Sequence, residues 1–189
     1  MNFMELMKKT RSYRSFDRSV RLSGENLTEL IAHARLAPSS MNAQMLKYHP
    51  VTDEAECSAV LSLTRWAGKL KELKLPPVGH EPVAYIIICA DRTVLPNADS
   101  FDTDVGIAAE VLMLAAAERG WGGCIIGSFD RSGLSALLPS HVVPKLVLSL
   151  GKPDEEVCLT DAALNGSVTY YRRDGIHYVQ KRSVEDLIL

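Results

Sequence analysis

The sequence predicts an α+β fold in which helices flank a central, mainly antiparallel sheet. Apolar strands and amphipathic helices mix along the 189 residues without the regular strand–helix–strand alternation of a doubly wound parallel sheet. The solid apolar run Val83–Cys89 requires cover on both faces, and the nearly all-apolar stretch from about Ser100 to Arg119 predicts a buried helix. With 47% hydrophobic and 23% charged residues, we expect one domain, residues 1–189, with a substantial core.

Hydrophobic spacing and turn residues divide the first 82 residues into short elements. Ser23 and Asp53 are capping residues that precede helical spacing, and Pro50 predicts that its strand is either an edge strand or a bulged one. The predicted elements are a helix over Met4–Thr10, a basic loop over Arg11–Asp17, a helix from Ser23 to the stop signal Ala37–Ser40, a strand over Leu46–Val51, a helix from Asp53 to about Leu63, a short amphipathic helix over Arg65–Lys74 and an exposed loop or lid over Leu75–Pro82.

The second half contains the two most apolar segments. Asp102 and Asp104 lie where a helix dipole favours carboxylates, and Gly120 ends the same helix. The predicted elements are a strand over Val83–Cys89, the helix from about Ser100 to Arg119, a strand over Gly122–Ile126, a helix around Arg131–Leu138, a strand over Lys145–Leu150, a strand near His177–Val179 and a short C-terminal helix from Ser183.

Composition excludes several classes of protein. The longest apolar run, Val83–Ala90, is far shorter than the roughly 20 residues that span a bilayer, and Met1–Thr10 lacks the apolar segment of a signal peptide. The four cysteines form no C-x-x-C pair and the five histidines show no ligand spacing, so we expect no metal site. These features predict a cytoplasmic protein.

Charge points to a small anionic ligand rather than to nucleic acid. The net charge is −2 and aromatic residues make up 6%, whereas a nucleic-acid binder normally has a basic face at domain scale. Residues 1–21 nevertheless contain six basic and two acidic side chains. One end of the molecule can therefore attract an anion, and a small phosphate suits it best.

Four segments contain the candidate binding residues. Arg11-Ser12-Tyr13-Arg14 offers two guanidinium groups, which match phosphate oxygens, although surface arginines that balance nearby carboxylates would look the same. The others are the loop with Ser39, Ser40, Asn42 and Gln44, whose amides suit the edge of a heterocycle; the glycine-containing stretch Gly122–Ser128; and the basic pair Lys181–Arg182. The loop with Ser39 to Gln44 could instead be an ordinary turn-rich loop, and Lys181–Arg182 could be a solvated basic pair.

Taken in order, these segments resemble the FMN-dependent nitroreductase family in one of its shorter forms. The matching stretches are RSYRSFD, APSSMNAQ, DVGIAAEVLMLAAAERGWGGCIIGSF, LVLSLGKP and YYRRDGIHYVQKR. The resemblance implies an α+β sandwich, an intertwined homodimer and FMN bound at the subunit interface. One departure is that Gln44 is followed by Met45-Leu46-Lys47, where many relatives have Gln-Pro-Trp.

The resemblance also assigns residues by position. It implies that the phosphate and the pyrimidine end are held by Arg11, Ser12, Tyr13 and Arg14, that the second flavin loop contains Ser39, Ser40, Asn42 and Gln44, that Ile126 and Gly127 place backbone beside the isoalloxazine, and that Lys181 and Arg182 complete the phosphate site.

The implied activity is FMN-dependent oxidation of NADH or NADPH, with electrons passed to a nitroaromatic, a quinone or a similar acceptor. The flavin supplies the hydride chemistry, so no side chain need act as acid or base. Alternatives are a non-redox module that binds flavin or another small ligand, and a reductive dehalogenase or enone reductase. Trp66 could stack near the acceptor as part of a lid, or it could be ordinary core packing on a short helix.

Overall fold

The computed structural model describes residues 1–70, 72–94 and 102–189 and has the predicted α+β architecture. Its helices are α1 (Phe3–Lys9), α2 (Gly24–Ala34), α3 (Glu54–Leu63), α4 (Asp102–Glu118) and α5 (Arg131–Ala136). Its strands are β1 (Phe16–Asp17), β2 (Leu46–Val51), β3 (Ala84–Asp91), β4 (Gly122–Ile126), β5 (Val142–Pro153), β6 (Val157–Asp161), β7 (Tyr171–Arg173) and β8 (Ile176–Lys181).

Side-chain caps begin the helices at the predicted places. Ser23 accepts a hydrogen bond from the backbone N–H of Asn26, whose side chain bonds back to the backbone of Ser23, which completes a capping box before α2. The carboxylate of Asp53 accepts from the N–H of Glu56 at the start of α3. Each bond satisfies a backbone donor that the helix itself leaves free.

A five-stranded antiparallel sheet lies at the centre of the described residues. The 12-residue strand β5 pairs with β3, with β4 and, at its last two residues, with β1. Strand β2 pairs with β3 at the outer edge. The edge position predicted from Pro50 is therefore confirmed.

Helices cover both faces of this sheet, as the apolar run in β3 requires. Ile86 and Ile88 face the core layer formed with α2 and α4, whereas Tyr85 and Ile87 face the layer formed with α3 and α5. All four side chains are completely buried. Each buried isoleucine contributes roughly 1.5–3 kcal/mol of hydrophobic stabilisation, so the two layers hold the sheet between them.

The C-terminal segment forms a second, three-stranded sheet in the order β6-β8-β7. Strands β6 and β8 are parallel, and β7 pairs antiparallel with β8. Only the strand near His177 was expected here. None of the helices in the described residues is long and apolar enough to cross a membrane.

Three of the predicted elements are wrong. The described part of Arg65–Lys74 is turn and coil rather than helix, because Ala67 adopts a left-handed φ of 43° and the N–H of Arg65 bonds to Ser128 O at 2.9 Å. The segment after Ser183 forms only the 3-10 turn Glu185–Leu187. The basic loop contains strand β1, which pairs with the end of β5. The predicted start of α4 at Ser100 lies outside the described residues.

Candidate functional site

The basic segment 11–14 lies against strand β4. The N–H of Tyr13 donates to Gly123 O at 2.8 Å, and Ser12 forms a parallel bridge with Gly123. A side chain at Gly122 would place its Cβ only 2.5 Å from Cδ2 of Tyr13. The glycine therefore allows the basic segment to approach the strand closely, which fixes where its arginines lie.

An open cleft of about 200 Å³, here called the arginine cleft, lies beside this contact. Its walls are Arg14, residues 65–68, residues 124–128 and Tyr170. Four residues singled out in the sequence thus meet in one place: Arg14, Trp66, Ile126 and Gly127. Arg65 and Tyr170 also line the cleft and were not predicted as site residues; Tyr170 was within reach, because it begins the YYRRDGIHYVQKR segment.

Arg14 is held almost rigidly in the wall of the arginine cleft, and the residue is only 8% exposed. Its Nη1 donates to Ser12 O at 3.2 Å and lies 3.3 Å from Nε2 of His177, while its guanidinium carbon lies 5.3 Å from the centroid of the Tyr170 ring. The backbone N–H donates to the carboxylate of Glu155. The Nε atom is buried without a partner, so this cation keeps an unused donor.

His177 accepts that contact as a neutral ring. It is 1% exposed, and burial, followed by the charges of Arg14 and Arg172, lowers its pKa from 6.5 to about 4. Because Nε2 faces a guanidinium donor, the ring proton belongs on Nδ1. His177 therefore fixes the orientation of Arg14 without adding charge.

The wall formed by residues 65–68 is tied through Thr64 and Arg65 to the loop after β4. Thr64 forms an antiparallel bridge with Phe129, and the Nε1–H of Trp66 donates to Oγ1 of Thr64 at 2.9 Å. Trp66 is half-buried, packs against the α3–α5 core layer and also lines the arginine cleft. Core packing of Trp66 is thus observed, and its role as part of a lid near the acceptor stays a prediction.

The second predicted loop lies elsewhere, at a cavity of about 420 Å³ between α2, α4 and β2, here called the helix cavity. Buried Asp104 holds this loop, because its carboxylate accepts from Ser39 Oγ at 2.8 Å and from the N–H of Ser40 at 3.0 Å. Asn42 and Gln44 have left-handed φ values of 52° and 49°. Such backbone costs free energy, so the loop keeps its shape through these tertiary contacts.

The remaining predicted residues do not reach the arginine cleft in this chain. Arg11 donates from Nη2 to Met7 O at 2.7 Å, and its buried Nε has no partner. Lys181 and Arg182 are exposed at and just after the end of β8. Ser39 and Gln44 line only the helix cavity, which shares no lining residue with the arginine cleft.

Other chemistries find little support at this site. Cys124 lies in the cleft wall, but burial raises the pKa of its thiol, which disfavours the reactive thiolate. Among the described residues, no group of three or more His, Cys, Asp and Glu side chains is placed to hold a metal ion.

The fold is that of the nitroreductases, α+β proteins in which helices cover a central antiparallel sheet. A nitroreductase family protein of Streptococcus pneumoniae superposes with a TM-score of 0.71 at 18% identity, covering 100% of this chain and 99% of that one. A second structure, from Exiguobacterium sibiricum, is provisionally named a nitroreductase and was solved with FMN; it gives a TM-score of 0.68 at 22% identity over 82% of this chain and 90% of that one.

Residues 7–152 match the model of the nitroreductase family, and the chain belongs to that family. The resemblance seen in the sequence is thus confirmed. YdgI of Bacillus subtilis, provisionally named an NAD(P)H nitroreductase, is 29% identical in an alignment that covers 82% of this chain and 90% of YdgI. The matched region includes the arginine cleft except Tyr170, whereas Lys181 and Arg182 lie beyond it.

Proposed function

We propose that this protein is an FMN-dependent oxidoreductase that oxidises NADH or NADPH and reduces a nitroaromatic, quinone or similar acceptor. Membership of the nitroreductase family supports the oxidoreductase class, and the FMN complex of the Exiguobacterium protein supports the cofactor. Four free cysteines suit the reducing cytoplasm that we propose as its location. In this proposal residues 1–189 act as one domain.

The observation that supports the flavin most directly is the buried cation of Arg14 beside Gly127 in an open cleft. Arg11 and Arg14 both keep a buried, unpartnered Nε–H, and such donors gain most from a charged acceptor. The walls also offer the flat side chain of Tyr170 to a planar ring, and they leave Trp66 for the acceptor. These residues fit a flavin mononucleotide.

Bound FMN would supply the hydride chemistry, accepting electrons from the nicotinamide and returning them to the acceptor. The chain's own residues bind and orient. Arg14 would hold the pyrimidine end of the ring, where its positive charge would stabilise the reduced flavin, and Gly127 would offer a backbone donor from the cleft wall. For a nitroaromatic acceptor, reduction to the nitroso compound consumes one NAD(P)H and one proton and releases one water.

The absorbance spectrum of the purified protein tests this proposal. We expect a yellow protein whose chromophore is released as FMN on denaturation, and NADH or NADPH oxidation that depends on nitrofurazone or menadione. A colourless protein that FMN cannot reconstitute contradicts the flavin. A yellow protein that oxidises neither nicotinamide supports the non-redox flavin-binding alternative.

Replacing Arg11 with Ala is expected to weaken FMN binding by about 1.5–3 kcal/mol, the free energy of a charge-assisted hydrogen bond. The reason is that Arg11 holds a buried donor that the chain leaves unused. Titration of apoprotein with FMN, followed by flavin fluorescence, measures the change. Lys8→Ala removes an exposed charge from α1 and is the matched control. Equal affinity in Arg11→Ala and wild type removes Arg11 from the site.

We further propose that two chains assemble as a homodimer, in which the loop that contains Ser39 and Gln44 of one subunit completes the flavin site of the other. The separation of the helix cavity from the arginine cleft within one chain supports this arrangement. The exposure of apolar residues such as Met41, at 82%, and Leu36, at 74%, beside that loop supports it too.

Sedimentation equilibrium at micromolar concentration is expected to give twice the chain mass of 20.8 kDa. Met41→Glu should shift this equilibrium towards the monomer and release FMN, because a charge in an apolar contact is costly. Val78→Glu changes an equally exposed apolar residue, at 81%, in the proline-rich loop and serves as the control. A monomer that binds FMN tightly contradicts the shared site.

A further inference from the structure

The two arginines in the walls of the arginine cleft differ in what they already bind. Arg14 is buried, and its guanidinium contacts Ser12 O, His177 and Tyr170. Arg65 is exposed, and within the described residues no carboxylate forms an ion pair with it. Arg65 is thus the cation of this cleft that remains available to a further ligand.

Arg65 nevertheless has a fixed place in the wall. Its backbone N–H donates to Ser128 O at 2.9 Å. The preceding residue, Thr64, forms a β-bridge with Phe129, and the following residue, Trp66, donates its indole N–H to Thr64. Only the side chain is free to move. A cation on a fixed backbone loses less entropy when it binds a ligand than one on a mobile loop does.

Charge in the cleft favours an anion. Its charged wall residues are Arg14 and Arg65, and no acidic side chain among the described residues lines it. Asp130 is the N-cap of α5. Hydrogen bonds from Ser132 and Gly133 are the main causes that lower the pKa of its carboxyl group, and the charge of Arg65 adds to them. An anion in the cleft therefore meets two positive charges and no carboxylate in the lining, while Asp130 acts on Arg65 from outside the lining.

We propose that Arg65 selects electron acceptors that bear an anionic group, and that the preferred acceptor is a planar aromatic carboxylate. The ring packs against Trp66 and the carboxylate pairs with the Arg65 guanidinium, whose fork matches two carboxylate oxygens. This inference rests on the proposed oxidoreductase function and names the acceptor class for the same cleft. Arg65 could not be singled out from the sequence, because a single exposed arginine has no distinctive pattern.

Paired acceptors of equal size test the proposal on the holoenzyme. 4-Nitrobenzoate and 4-nitrobenzamide differ in charge and little in shape. Dividing kcat/KM of the variant by kcat/KM of wild type, for each compound separately, cancels the intrinsic reactivity of that compound. In a cycle that alternates donor and acceptor, kcat/KM for the acceptor reports only the second half-reaction. We expect Arg65→Gln to lower kcat/KM for 4-nitrobenzoate about tenfold and that for 4-nitrobenzamide less than about twofold.

Two further variants and a binding measurement define the control. Arg65→Lys keeps the charge and should retain most of the activity with 4-nitrobenzoate. Arg131→Gln removes an exposed arginine that stacks on Phe129 outside the cleft, and should change neither ratio. Calorimetric titration of each protein with benzoate and with benzamide should show weaker binding of benzoate alone in Arg65→Gln.

The possible outcomes distinguish a failure of the proposed role of Arg65 from a failure of the proposed oxidoreductase function. Equal losses for the two acceptors, the same loss in Arg131→Gln, or a larger change in kcat/KM for NADH or NADPH than in kcat/KM for 4-nitrobenzoate each overturns the role of Arg65. Absence of turnover with both compounds and both nicotinamides contradicts the proposed function instead. Benzoate titration then still decides whether Arg65 holds an aromatic carboxylate.

Discussion

Gly123→Ala is expected to lower the free energy of unfolding by about 3 kcal/mol, the upper end of what overpacking in a core costs. A Cβ at this position in β4 would lie 1.9 Å from the carbonyl oxygen of Ser149 in β5. That oxygen belongs to the backbone of the neighbouring strand, so no side chain can rotate away to make room. The clash would separate β4 from β5 and move the wall of the arginine cleft with it.

Urea unfolding of Gly123→Ala and of Gly24→Ala measures this effect against a matched control. Gly24 begins α2, and an added Cβ there meets nothing within 4 Å. We expect Gly24→Ala to change the stability by less than about 1 kcal/mol, in the stabilising direction. Equal unfolding midpoints for wild type and Gly123→Ala would contradict the close packing of the two strands.

Acidification from pH 6.5 to pH 4 is expected to cost about 3 kcal/mol of stability through His177 alone. Its pKa falls from 6.5 to about 4 on folding, so the unfolded chain binds a proton in this interval that the folded chain does not. The contribution is complete above pH 6.5 and is lost as the pH falls towards 4. Burial is the main cause, and the guanidinium groups of Arg14 and Arg172 add to it.

The free energy of unfolding, measured against pH for wild type and for His177→Gln, separates the effect of His177 from that of the carboxylates that titrate in the same range. His177→Gln has no proton to gain in this range and can still accept from Arg14, so its stability should depend less on pH than that of wild type. Parallel profiles for wild type and His177→Gln would show that His177 titrates normally.

Local sequence predicted the elements whose stability is mostly local. The uninterrupted run in β3 and the caps of α2 and α3 lie where the pattern placed them, because burial of an apolar face and satisfaction of helix donors act over a few residues. The turn after Thr64 was missed for the opposite reason. Its amphipathic spacing favoured a helix, but the bond from Arg65 to Ser128 joins residues 63 positions apart.

The candidate site was predictable in the same uneven way. Arg14, Ile126 and Gly127 could be named because a basic motif and a glycine-containing strand stand out in the sequence, and the structure brings them to one cleft. Arg65 reaches that cleft because its neighbour Thr64 forms a bridge with Phe129. Tyr170 reaches it because its ring stacks on the guanidinium of Arg14. Those contacts are long-range, so the spacing of residues could not reveal them.

Strand β5 also has a consequence for synthesis on the ribosome. Strands β1, β3 and β4 all pair with it, and Phe16 of β1 finds its partner only at Pro153. Until about residue 153 has left the exit tunnel, the central sheet has no middle strand and the apolar faces of β3 and α4 have no complete cover. The nascent chain therefore closes its core late, through distant contacts, which is slow and leaves apolar surface open to chaperones in the meantime.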